Sequence, residues 1–109
     1  MAYDPVLAQR IRESLSEGTG ITEMKQFGGI GFMVNGNMAC GVIGNELIVR
    51  VGPEGYESAL ELPHARPFDF AGKPSRGWVY VASPGFESDG DLRAWVQRGI
   101  SFASTLPAK

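Results

Sequence analysis

The sequence predicts an α+β fold of two layers, with helices packed on one face of an antiparallel sheet, in the order α-β-β-β-α-β-β-α. Three features carry that expectation. Two tight-turn dipeptides, Asn35-Gly36 and Gly44-Asn45, separate apolar runs within residues 27–51, FGGIGFMVNGNMACGVIGNELIVRV, which marks a three-stranded antiparallel meander. Apolar residues from Leu92 to Leu106 recur at helical spacing. The 109-residue chain, 43% hydrophobic and 20% charged, has the size and balance of one globular domain, residues 1–109, rather than of a disordered segment.

The elements follow in order. Asp4-Pro5 opens a first helix, with Asp4 as N-cap and Pro5 in the first turn. Leu7, Ile11 and Leu15 form its apolar stripe, and Gly18 suits a C-cap. Ile21 to Phe27 suits a short strand that Gly28-Gly29 breaks or bulges. In the meander, the first turn sets Met33 opposite Met38, Phe32 opposite Ala39 and Gly31 opposite Cys40. The second sets Val42 opposite Leu47, Cys40 opposite Val49 and Met38 opposite Val51. One face then carries Met33, Met38, Cys40, Val42, Leu47, Val49 and Val51 and is expected to meet the helices. The other carries Ile30, Phe32, Val34, Ile43 and Ile48 among Asn37, Glu46 and Arg50, and a one-residue change of register would exchange the two. Pro53 to Leu62 reads as a short helix with Tyr56, Ala59 and Leu60 inward. Arg66 to Phe70 and Gly77 to Ala82 read as strands joined through Ala71-Gly72-Lys73-Pro74. The last helix begins near Ser88, with Asp91 as its capping partner and Pro107 limiting its end.

Charge and cysteine content narrow the function classes. A net charge of −2 argues against a protein whose main work is gripping nucleic-acid phosphates. One cysteine allows no intramolecular disulfide and fits a cytoplasmic setting. The N-terminus lacks a secretory pattern, and no window approaches the ~20 apolar residues of a membrane span.

The stretches FGGIGFMVNGNMACGV (27–42), LIVRVGPEGYESAL (47–60), HARPFDFAGKPSRGWVYV (64–81) and DLRAWVQRGISFASTLP (91–107) together resemble the N-terminal domain of TfoX/Sxy-like proteins. The resemblance covers nearly the whole chain and implies the same two-layer fold. TfoX/Sxy proteins regulate natural competence and pair this domain with a helical C-terminal one. This chain resembles the stand-alone members, for which the resemblance carries over neither the competence role nor any catalytic residue.

The chemistry-bearing residues are few. Cys40 and His64 are unique and are the only nucleophile–base candidates. Cys40 lies mid-strand among core-facing residues and reads as a small hydrophobe, while His64 reads as a surface turn residue. One Cys and one His cannot supply a four-ligand zinc site, and no Ca²⁺-loop spacing appears, so neither metal nor cofactor is expected. The glycines of FGGIGF lack the spacing and the following helix of a phosphate loop, and fit a bulge or close backbone packing. His64, Arg66, Lys73 and Arg76, near Trp78 and Tyr80, form a small basic group, a candidate site for a small anion or single-stranded nucleic acid. Ile30, Phe32 and Ile48, with Trp78 and Tyr80, form the candidate partner surface on the open sheet face. The leading expectation is a non-catalytic regulatory or interaction domain whose partner is a protein, another copy of itself included. The alternative is the anion or nucleic-acid module, and an enzyme built on Cys40 or His64 ranks last.

Overall fold

The computed structural model describes residues 3–15, 21–26, 29–70 and 73–107, with the side chains at 26, 69–70 and 73–76 outside that description. Helix α1 (Pro5–Ser14) starts as expected: the Asp4 side chain accepts hydrogen bonds from the Val6 and Leu7 N–H groups. It ends at Leu15, and Gly18 lies outside the described residues. Six strands follow: β1 (Ile21–Gln26), β2 (Gly29–Val34), β3 (Asn37–Ile43), β4 (Glu46–Arg50), β5 (Ala65–Phe70) and β6 (Lys73–Val81). Helix α2 (Tyr56–Leu60) lies between β4 and β5 and is shorter than the span from Pro53 to Leu62. Helix α3 (Asp89–Ala103) closes the chain, with the Ser88 hydroxyl accepting from the Asp91 N–H.

All strand pairs are antiparallel, in the order β1-β2-β3-β4-β6-β5. The fold class is the one expected. The sheet holds one strand more than the α-β(3)-α-β(2)-α order counts, because Ile21–Gln26 pairs along its whole length with β2. Both meander turns form: Asn35 and Gly36 take positive φ (51° and 86°), as a type I′ turn needs, and Gly44 takes φ 59° in the second.

Two rows of side chains cross the sheet beneath the helices. Ile30, Val42, Leu47 and Val81 form one, and Phe32, Cys40, Val49 and Val79 the other. These residues join Leu7, Ile11, Tyr56, Leu92, Trp95 and Val96 in one buried cluster. Burying each large apolar side chain there contributes about 1.5–3 kcal/mol. Helix α3 lies across β3 and β4, α1 packs beside it, and α2 covers β5 and β6. Arg10 of α1 donates to the Phe86 and Glu87 carbonyls, which ties the helix layer together ahead of α3.

The register between β2 and β3 corrects the sequence reading. Met33 faces Met38 as expected, but Phe32 then faces Cys40 and Ile30 faces Val42, with Ala39 left over as a β-bulge. One extra residue in β3 reverses every β2 assignment beyond it. Ile30, Phe32 and Val34, expected on the open face, are buried at 3%, 1% and 4% exposure under the helices. Met33 and Met38, expected in the core, lie on the open face. The β3–β4 pairing has no bulge, and Cys40–Val49 and Val42–Leu47 face each other as the turn spacing predicts.

Candidate functional site: the aromatic end of the open sheet face

One row crosses the open face from edge to edge: Met24, Gly31, Gly41, Ile48, Tyr80 and Arg66. Its middle is low. Neither glycine has a side chain, and the thioether of Met38 lies over both, so close that a Cβ at Gly41 would meet the Met38 methyl at 2.7 Å. Ile48 belongs to this face, but at 1% exposure it offers a partner no area.

The raised end of the row is aromatic. Strand β6 presents Trp78 and Tyr80, because Val79 and Val81 point to the helices. Strand β5 adds Phe68, whose ring centroid lies 4.9 Å from Tyr80 and 6.1 Å from Trp78 at tilted angles. Two guanidinium groups cover these rings. Arg66 stands 4.6 Å over Tyr80, and Arg50 stands 5.1 Å over Trp78 and 5.5 Å from Phe102. Arg66 is held in place by a two-pronged pair with Glu46, at 2.9 and 2.5 Å, and this bonding raises its pKa further above the usual arginine range. The half-buried rings and planar cations suit contact with another surface, since aromatic residues and arginine are enriched where proteins bind proteins.

The expected site residues separate into distinct places. Trp78 and Tyr80 are on the open face as proposed, whereas Ile30 and Phe32 are core residues. Of the basic group, Arg66 is on the open face and already paired with Glu46. His64 is exposed and has φ 69°; it lines a cleft with Leu62, Pro84, Trp95 and Arg98. The fold therefore does not bring His64 and Arg66 to one site, although only Ala65 separates them in sequence. Lys73 and Arg76 are on the β6 backbone, and their side chains lie outside the description.

Cys40 is fully buried, and burial alone pushes its thiol pKa up to about 12. A thiol in that state supplies no thiolate at neutral pH. Among the described residues no group of three His, Cys, Asp or Glu side chains could hold a metal ion. The close-packing reading of FGGIGF fits Gly29, where a Cβ would run into the Val42 carbonyl oxygen; Gly28 lies outside the described residues.

Phe68 and Met24 escaped the sequence reading, which put Glu46 on the open face correctly but Met33 and Met38 in the core. Alternation within ARPFDF puts Arg66 and Phe68 on one face. Which face it is depends on the pairing of β5 with β6, which no local signal gives.

An antiparallel sheet with helices on one side and an arginine-capped aromatic patch on the other defines an open-faced α+β architecture. The chain belongs to the TfoX N-terminal domain family, whose model matches residues 13–103. No curated protein and no solved structure gives a significant match. No helix among the described residues is long and apolar enough to cross a membrane.

Proposed function

We propose that this chain is a non-catalytic regulatory domain of the TfoX N-terminal type, acting in the cytoplasm by binding a protein partner through Phe68, Trp78 and Tyr80. The arrangement that carries this reading is the aromatic cluster on the open face, with Arg50 and Arg66 laid over its rings. A partner surface laid on this cluster removes apolar ring area from water, while Arg50 and the Arg66–Glu46 pair form its polar rim. A sealed Cys40, which offers His64 no accessible thiol to activate, supports a role without catalysis. Pairing of Arg66 with Glu46 weakens the alternative of an anion or nucleic-acid module, because half of the described basic pair is neutralised in place.

The test compares the wild-type chain with a Phe68→Ser/Trp78→Ser double variant. Both are checked for folding by circular dichroism and used as bait against a native lysate. Captured proteins are identified by mass spectrometry, then titrated in purified form against each bait. The reading expects a protein that binds the wild type at least about tenfold more tightly than the variant, a difference of about 1.4 kcal/mol. Equal binding by both baits, or capture of nucleic acid alone, refutes it.

A further inference from the structure

The two edges of the sheet are not alike. β5 is protected: Pro67 has no N–H to offer, and the ladder to β6 shifts register between Pro67 and Asp69. β1, at the opposite edge, has neither device. It runs six residues, ITEMKQ, in unbroken register with β2. Among the described residues no backbone hydrogen bond reaches its outer side. Met24, near its centre, is 49% exposed on the open face, one of two large hydrophobic residues so exposed among the described residues.

We propose that β1 pairs antiparallel with β1 of a second copy, about a two-fold axis through Met24, so that two sheets become one. The strand is self-complementary in that register. Met24 meets Met24, Glu23 stands opposite Lys25 of the second copy, and Thr22 stands opposite position 26. Glu23 and Lys25 both lie on the helix side of the sheet, since they pair with Phe32 and Ile30. Each Glu23 then sits between its own Lys25 and that of the second copy.

Arg12 pre-positions the carboxylate: its guanidinium donates to both Glu23 oxygens, at 2.7 and 2.8 Å. The same contacts, with a smaller contribution from Lys25, hold the Glu23 pKa below the usual carboxylate range, so the charge persists into mild acid. The neighbouring registers, centred on Glu23 or on Lys25, set like charges directly opposite, which disfavours a strand pair. Charge thus selects the partner, the direction and the register together. A closed two-fold dimer also leaves no free edge at this end of the sheet. The pairing goes beyond the partner face proposed above: it uses the edge remote from Phe68, Trp78 and Tyr80.

Sedimentation equilibrium tests it. The wild type is expected to dimerise at tens of micromolar. Lys25→Glu and Glu23→Lys each place like charges across the axis and are expected to weaken the dimer about tenfold or more. An equimolar mixture of the two variants restores opposite charges at every cross-strand pair and is expected to recover the dimer. Should Glu23→Lys fail to fold without its Arg12 partner, Met24→Glu replaces it: it sets two carboxylates on the axis and must weaken the dimer. A wild type that stays monomeric at hundreds of micromolar overturns the proposal. So does a dimer indifferent to Lys25→Glu and Met24→Glu, or a mixture of folded variants that stays monomeric. A monomeric result leaves the capture experiment at the aromatic face to be decided by its own outcome.

Discussion

Gly99→Ala sets two well-measured effects against each other. Gly99 is in the middle of α3, where alanine is favoured over glycine by about 1 kcal/mol. Propensity alone therefore expects a more stable protein. The structure expects the reverse. A Cβ at position 99 would stand 2.9 Å from the Ala39 carbonyl carbon, and closer still to its oxygen. Carbon atoms relax near roughly 3.5–4.0 Å, so α3 must rise from the sheet by about 0.5–1 Å. Neither side can yield cheaply, because both are backbone: a helix interior and the bulge of β3. Raising the helix loosens its buried residues Trp95, Val96 and Ala103 as well. Overpacking costs about 1–3 kcal/mol, and a clash with backbone on both sides falls in the upper part of that range, about 2–3 kcal/mol, of which propensity offsets about 1 kcal/mol. A net loss of about 1–2 kcal/mol should appear in urea unfolding as a lower midpoint at unchanged m, and in heating as a Tm drop of about 4–16 °C. A variant as stable as the wild type, or more so, would show that α3 is not seated on the Ala39 bulge.

The remaining predictions address the core, the thiol and nucleic acid. Phe32→Ala should cost about 3–5 kcal/mol in denaturant unfolding, as a buried aromatic does; a loss under about 1 kcal/mol would return Phe32 to the open face. Cys40 should react with thiol reagents far more slowly in the native protein than in denaturant, and equal rates would contradict its burial. The same thiol sets an alkaline limit. Its pKa rises from 9.0 to about 12 on folding, so between those values the unfolded chain alone loses the proton. Its contribution is complete below about pH 9 and is lost as the pH climbs towards 12, and a Cys40→Ala variant should show a weaker alkaline loss in unfolding titrations. Anisotropy titration at physiological salt should find weak or no nucleic-acid binding, given the net charge of −2. Sub-micromolar binding that disappears in Arg66→Ala or Arg76→Ala would favour the anion module instead.

Local chemistry made much of this fold legible. Asn35-Gly36 and Gly44-Asn45 determine their turns through backbone φ, and Asp4 and Ser88 start their helices through hydrogen bonds a few residues away. These signals act within a handful of positions and are written where they act. The face of β2 is set otherwise. It depends on whether β3 is paired continuously or carries one residue too many, and in NMACGV the extra residue is Ala39, not Gly41, the one that local rules would suspect. Ala39 bulges where α3 comes down on it beside Gly99, a contact between residues 60 positions apart. For the same reason Ile30 and Phe32 read as surface residues, although the β3–β4 register beside them read correctly. Trp78 and Tyr80 were readable by alternation with Val79 and Val81, whereas Phe68 needed the β5–β6 pairing.

The two turns of the meander also hold the ends of the chain. The Asp4 N–H donates to the Gly44 carbonyl at 2.7 Å, and the Asn37 amide donates to the Pro107 carbonyl at 2.8 Å. Asn37 begins β3 and Gly44 follows its end, so the two tethers grip one central strand at opposite tips, about 20–25 Å apart along it. Drawing residues 4 and 107 away from the sheet therefore starts with the loss of one hydrogen bond at each tip of β3, before α1 and α3 are lifted from the core, and it leaves the ladders of β3 to β2 and β4 for last.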